Sequence, residues 1–366
     1  MRKFRKFGKI QAIFLKEKGK KKMSRAEWLQ HRQLGLGGSD MGTLMDMNPR
    51  YSKMELFYQK LGLNFSTDDE DNSYMYWGRR LEKSVIEAGQ YLDFSSQEYI
   101  DNDNNGNPLR KASPLPIMAM NPEYPWLLAN IDGVEGWNRS YTYPKIDALA
   151  EAKTISRRAR EMWAGGLPPY YIAQAVMYAT VFQPIMRKDS KINIYILEDG
   201  SDFTGIDLNI SQNKKLQNIQ GTMLNKSYDF WNRLIMGKAI IAKYADWEDS
   251  REAKHEMMQE LSEVEPEIDA SPAYEQFYSD FYVSKMELLR HELEGNQEIW
   301  EMGVDYLNIT KLAKEVKAKR DLLAHRIKDY LKNWEAYSFT FGDMGKIMFN
   351  KRLYVNIKPT EKKDES

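Results

Sequence analysis

The chain contains no cysteine. That excludes a disulfide-stapled scaffold, a thiolate zinc site and a cysteine nucleophile, and it fits a reducing compartment. Histidine is nearly as scarce: the four present, at positions 31, 255, 291 and 325, are too dispersed for a clustered ligand set. A metal would have to rest on carboxylates. No apolar run approaches the roughly 18 residues of a membrane span, so no membrane role is expected. Net charge is also absent, with 53 Lys+Arg against 53 Asp+Glu in 366 residues. Local charge, not the field of the whole protein, must find any partner.

What is present is 42% hydrophobic residues, enough for a real core, over a length that suggests two compact units or one decorated domain. Charge is segregated along the chain. Residues 1–25 carry eleven Lys/Arg against Glu17, and residues 246–269 carry ten acids against Arg251 and Lys254. The first stretch reads as a basic arm, either a solvated tail or a sequence-blind phosphate binder. Its apolar segment, Ile10 to Leu15, is too short for a signal peptide. The second stretch reads as an acidic linker.

Between them, Ser24-Arg-Ala-Glu27 has the form of a capping box and predicts a helix carrying Trp28 and Leu29, ended by the glycine-rich turn GLGGSD at 35–40. Helices are expected over Lys53–Gly62, Tyr76–Tyr91, Pro168 to about Val181, and Leu216–Met236, with loops at 66–73 and 101–108. Strands are expected over Trp126–Ile131, Ala148–Thr154, Ile192–Leu197 and Phe203–Ile210. The fold class is α/β, a mixed central sheet flanked by helices. Beyond the acidic stretch, Ile309, Leu312, Val316, Leu323, Ile327, Tyr330 and Trp334 keep a three-four spacing broken once at Lys319, which predicts a long helix with one apolar stripe. A hairpin of Tyr337–Phe341 and Ile347–Ile357 around a Gly342–Gly345 turn follows. The expected divisions are a basic arm at 1–23, an α/β domain at 24–245, an acidic linker at 246–270 and a helical and hairpin extension at 271–366.

The chemistry centres on Asp132 at a predicted strand end and Glu151-Ala152-Lys153 inside the next strand. Residues two apart in a strand share a face, so Glu151 and Lys153 point one way and Ala152 the other. With Asp132 alongside, two hard oxygen ligands and an amine suit Mg²⁺ or Mn²⁺ and phosphodiester hydrolysis by a metal-activated water, which the lysine would orient or help deprotonate. The tripeptide alone is weak, since Glu252-Ala-Lys254, Glu315-Val-Lys317 and Glu361-Lys-Lys363 repeat it in helical or tail segments. Asp147, just before the strand, competes as a ligand. Further candidates are Glu82 in WGRRLE, Gln174 and Tyr178 four apart on one helix face, and Arg32 with Ser39 in the glycine turn as parts of a phosphate pocket. Each has a plain alternative as a solvated or packing residue.

The ordered series EWLQHRQLGLGGSD, NPRYSKMELFYQKLG, WGRRLE, LLANIDG, AEAKT, LPPYYIAQAVMY and DFWNRLIMGK, from about Trp28 to Lys238, resembles the YqaJ-type viral recombinases, relatives of the lambda-type phage exonuclease in the PD-(D/E)XK nuclease superfamily. The resemblance implies that Asp132, Glu151 and the backbone carbonyl of Ala152 bind the metal, with Glu82 a water-mediated contact and Lys153 the catalytic lysine. It puts Gln174 in a glutamine-tyrosine motif lining the cleft, and Arg32 and Ser39 on a 5′-terminal phosphate. Here Ile131-Asp132 replaces the family's proline-aspartate, and Asn138 to Pro144 looks like a hairpin extension. The implied activity is a Mg²⁺-dependent deoxyribonuclease on linear duplex ends, 5′ to 3′, exposing single strands for recombination by annealing in the cytoplasm of a bacterial host. Implied partners are double-stranded DNA ends, a phage single-strand annealing protein and further copies of the chain, as in a trimeric ring. A structure-specific endonuclease on the same core and a non-catalytic DNA-end-binding scaffold are the alternatives. The basic residues of the C-terminal helix could track a DNA backbone or simply face solvent.

Overall fold

A computed structural model describes residues 2–16, 23–63, 73–98, 107–156, 166–187, 189, 191–245, 251–279, 297–333, 338–340, 345–350 and 352–357. The chain divides into two units, Met1–Leu288 and Leu289–Ser366.

The first unit opens on a hairpin where a basic arm is expected. Strands β1 (Arg5–Phe7) and β2 (Ile10–Phe14) pair antiparallel, and Gly8 takes a positive φ in the tight connection, with Pro144 standing where a Cβ would be. β2 also pairs with Ile117–Met120. Phe7, Ile10, Ala12 and Ile13 are buried while Lys3, Arg5, Lys6 and Lys9 stay in solvent. Apolar residues interleaved with the bases therefore make the described part of this stretch an edge of the domain, not a solvated tail. Residues 17–22 lie outside the described residues.

The helix α1 (Arg25–Arg32) starts as its sequence dictates. The Glu27 N–H donates to Ser24 Oγ at 3.2 Å, and the Ser24 N–H donates to Glu27 Oε2 at 2.8 Å. The glycine-rich turn expected at 35–40 is a strand-to-helix junction. Strand β3 (Leu36–Gly37) runs directly into α2 (Gly38–Leu44), because the Asp40 carboxylate accepts the Gly37 N–H at 2.7 Å and starts the helix. The helices α3 (Lys53–Lys60) and α4 (Ser73–Gly89) follow. The loops expected at 66–73 and 101–108 fall largely outside the described residues.

The central sheet gathers β4 (Ala112–Ser113), β7 (Gly133–Glu135), β8 (Ala148–Ile155), β9 (Lys191–Glu198) and β10 (Asp202–Asn209) in the order β10-β9-β8-β7-β4. Only β8 and β9 are parallel, and a parallel pair needs a crossover, supplied by α5 (Pro169–Phe182). The sheet is mixed and flanked by helices. In β8, Ala148, Ala150 and Ala152 form one face, whose small side chains admit α4 through Val85 and Ile86, while Leu149, Glu151 and Lys153 form the other.

The strand expected over Trp126–Ile131 is divided between neighbours. Leu127–Leu128 (β6) pairs parallel with β3, and Ala129 bridges to Ala119 in β5 (Ile117–Met120). The partner of β8 begins only at Gly133, so Asp132 precedes a strand instead of ending one. The hairpin expected over Asn138–Pro144 is a loop drawn together by Asn138, whose side chain donates to the Tyr143 carbonyl and accepts from the Ser140 and Lys145 N–H groups.

Past the helix α6 (Lys214–Lys243), the expected linker contains α7 (Arg251–Ser262), with Ala253, Leu261 and Val264 buried, and α8 (Pro272–Tyr278) comes next. Its acids are specific acceptors: Glu260 takes Lys243 and Tyr244, Glu265 takes Tyr58, and Asp269 takes the Lys53 N–H. Phe277 stacks on Tyr58 at 5.8 Å. Residues 246–250 lie outside the described residues.

In the second unit, α9 (Gln297–Asn333) precedes an antiparallel sheet of β11 (Ser338–Thr340), β12 (Gly345–Asn350) and β13 (Arg352–Ile357). The expected strand 347–357 is thus two strands, separated at the polar Asn350 to Arg352. Trp334, Tyr337 and residues 341–344 lie outside the described residues. No described helix is long and apolar enough to cross a membrane.

Phe7 gives a direct test of the N-terminal edge. Phe7→Ala should lower unfolding free energy by about 3–5 kcal/mol in urea titrations, as for a core aromatic. An unchanged midpoint would mean that this hairpin adds nothing to the fold.

Candidate active site

Three elements converge on the polar face of β8. The Asp132 carboxylate, just before β7, accepts the Ala152 N–H at 2.9 Å and so supplies a rung of the ladder beyond the last backbone pair, Gly133 with Ala150. From β8 itself, Glu151 Oε1 accepts Lys153 Nζ at 2.7 Å. From α5, Gln174 Nε2 donates to the same oxygen at 3.0 Å and lies 2.9 Å from Tyr178 Oη. Asp132, Glu151, Ala152, Lys153, Gln174 and Tyr178 are therefore brought together.

Burial sets the electrostatics. Glu151 is 5% exposed, and its other oxygen, Oε2, has no hydrogen-bond partner. Burial pushes its carboxyl up to about 8, with the Asp132 and Glu82 charges adding and the Lys153 ammonium opposing. Burial also raises Asp132, against the pull of Lys153 and the Ala152 N–H. Burial alone would lower Lys153, but the Glu151 and Asp132 charges overcome it and hold the amine above its ordinary value.

Glu82 is felt electrostatically by Glu151 from α4, yet among the described residues no three acids or histidines gather closely enough to hold a metal by themselves. Asp147 is drawn away from the pair, its Oδ1 held 2.7 Å from Arg187 Nη1. The donor set is two carboxylates, one with an unsatisfied buried oxygen. Such a set fits a hard divalent cation of the Mg²⁺ kind, which is held by one or two carboxylates and completes its shell with water and phosphate.

The second cluster surrounds the start of α2. Arg32 lies over the Trp28 ring at 5.0 Å, hydrogen-bonds Ser39, and reaches Asp40 at 3.4 Å. Asp40 is buried against Lys60 at 2.9 Å, and Lys60 also donates to the Arg32 and Gly35 carbonyls. Burial would raise the Asp40 carboxyl, but Lys60 and Arg32 hold it below the carboxylate range. Two cations thus share one carboxylate beside the exposed Ser39 hydroxyl.

Glycine links the clusters. A Cβ on Gly38 would stand 2.6 Å from the Tyr178 ring and 3.0 Å from Gln174, and one on Gly42 would stand 2.5 Å from the Tyr170 Cβ. These glycines, four apart, give α2 a bare face onto which α5 seats, which carries Tyr178 and Gln174 to Glu151.

Sequence reasoning missed Tyr171, whose ring lies 4.7 Å from Lys153 Nζ, although its spacing with Gln174 and Tyr178 places it on their helix face. It also missed Lys60, for which a lysine on an otherwise buried helix face is the available signal.

Residues 27–183 match the profile of the YqaJ-like viral recombinase domain. The protein YqaJ of Bacillus subtilis (strain 168) is 26% identical over 216 residues, which cover 59% of this chain and 58% of that protein. Within the matched YqaJ-like span lie Arg32, Ser39, Glu82, Asp132, Glu151, Lys153, Gln174 and Tyr178.

A glutamate forced above its ordinary pKa of about 4.3 binds its proton more readily folded than unfolded, so its ionisation works against the fold as pH rises from there to about 8. Glu151→Gln has no such ionisation. In cation-free urea titrations it should gain on the wild type by on the order of 3 kcal/mol between pH 5 and pH 8.5. A difference independent of pH would contradict the burial of this charge. Gly38→Ala should cost about 1–3 kcal/mol through the crowded Tyr178 contact, read by the same titration. No loss would mean that α2 is not seated as described.

Proposed function

We propose that the chain is a divalent-cation-dependent deoxyribonuclease that degrades one strand from linear duplex DNA ends, 5′ to 3′, and exposes single strands for annealing-type recombination. The observation that carries this reading is Asp132 beside the buried Glu151, with Lys153 attached and one Glu151 oxygen unsatisfied. The kinship with YqaJ-like viral recombinases supports a role in recombination.

Asp132, Glu151 and the Ala152 carbonyl would hold Mg²⁺ or Mn²⁺, with Glu82 behind them through water. When bound, the cation would neutralise phosphate charge and favour a nucleophilic water near neutral pH. The chain's own groups do the rest. Lys153, kept protonated by its acidic neighbours, acts as a donor that orients the attacking water and steadies the anionic phosphate oxygens. Gln174 fixes the rotamer of Glu151, and Tyr178 fixes Gln174. Arg32 and Ser39 offer a guanidinium and a hydroxyl to a terminal 5′-phosphate, which makes the enzyme end-dependent and disfavours an endonuclease that opens closed circles.

Acid-soluble nucleotides should be released from linear duplex DNA with Mg²⁺, and EDTA should abolish release. Glu151→Gln and Lys153→Ala should each cost roughly 10²-fold or more in rate. Equal release with and without EDTA, or none from the wild type, would sink the assignment. Arg32→Ala should slow digestion of 5′-phosphorylated ends to the rate on 5′-hydroxyl ends, whereas equal slowing on both substrates would remove the phosphate role.

A further inference from the structure

None of the site residues named above lies on the helix α9. Its sequence carries a second pattern besides the three-four stripe already noted. From Ile299 to Tyr330, steps of three and four alternate strictly, through Met302, Tyr306, Ile309, Ala313, Val316, Arg320 and Leu323, with Arg320 the one charged member. An apolar repeat of 3.5 residues sustained over more than four heptads is the signature of a helix made to pair with another helix. The side chains are exposed, Tyr306 at 71%, Ile309 at 67% and Leu323 at 57%. At about 1.5 Å per residue, the 37 residues of α9 make a helix about 55 Å long, and the stripe runs along most of it.

Charge identifies the partner. Residues 297–310 carry Glu298, Glu301 and Asp305 and no base, whereas residues 311–330 carry seven Lys/Arg against three acids. Two such helices side by side in the same direction would set lysine-rich halves against each other. Reversed, each acidic end meets a basic end.

We propose that this face of α9 closes on the same helix of a second copy of the chain as an antiparallel two-helix coiled coil. In the register that pairs the whole repeat, Tyr306 meets Leu323 of the second copy, and the small Ala313 meets Val316 at the centre. Arg320 lies over Ile309, its stem covering the apolar side chain while its charge reaches water. One charged member in the seam costs stability but fixes register. At the flank, Asp305 faces Arg326 of the second copy. Trp300 and Leu307 point away from this seam and take no part in it.

The full chain, measured by sedimentation at micromolar concentration, should have twice the mass of its Leu323→Lys variant, whose substitution sits on an exposed helix face and leaves the fold alone. Asp305→Arg and Arg326→Asp should each weaken association about tenfold, and the two together should restore it. Because the chain has no cysteine, engineered thiols report direction cleanly. Met302→Cys mixed with Ile327→Cys should form a cross-linked dimer on mild oxidation, and neither variant alone should. A wild type with the mass of Leu323→Lys, charge reversals that do not rescue each other, or self-cross-linking of Met302→Cys, which marks parallel helices, would each overturn the proposal.

Discussion

A carboxylate held out of water beside a second carboxylate is costly, and the first unit is organised around that cost. Glu151 sits on a central strand with Lys153 and Gln174 both on one of its oxygens and nothing on the other. Glu135, a few residues after Asp132 and on the opposite sheet face, shows the contrast. It is equally buried, but Asn193 donates to both of its oxygens and Tyr195 to one of them. Glu135 is a satisfied tie between strands. Glu151 keeps one buried oxygen without a hydrogen-bond partner, and in the proposed reading that difference separates an acid that holds the sheet together from one that would take a cation.

The surrounding fold positions these groups by removing side chains as much as by adding them. Alanines on the far face of β8 let α4 lie close, so Glu82 can reach Glu151 electrostatically. Glycines 38 and 42 do the same between α2 and α5, and the contact carries Tyr178 and Gln174 into the site. Because Ser39 adjoins Gly38, the helix that seats α5 also presents Ser39 to Arg32 at the end of α1, so both clusters depend on the placement of α2. The ordered likeness to the YqaJ-like recombinase domain spans these same elements and stops at α5, while α6 and the C-terminal unit lie beyond it.

Much of this was legible in the sequence because it is local. The capping box at Ser24 and Glu27, the shared face of Glu151 and Lys153, and the four-residue spacing of Gln174 and Tyr178 each follow from helix or strand geometry. Long-range choices were not legible. Residues 126–131 read as one strand, but tertiary partners divide them, and nothing local announces that Ala129 will pair with Ala119. The basic N-terminal stretch concealed a hairpin because lysines interrupt its apolar alternation. The acidic stretch concealed a packed helix because its acids are acceptors for distant tyrosines and lysines. Composition reports charge, whereas burial depends on which residues between the charges face inward.

The central claim, as proposed, is that Asp132 and Glu151 together hold a divalent cation. Crystals soaked in Mn²⁺ and measured at the manganese absorption edge test it most directly. The account predicts an anomalous peak within coordination distance of both carboxylates. A clean map there, or a peak only on other acids such as Asp147 or Glu135, would contradict it.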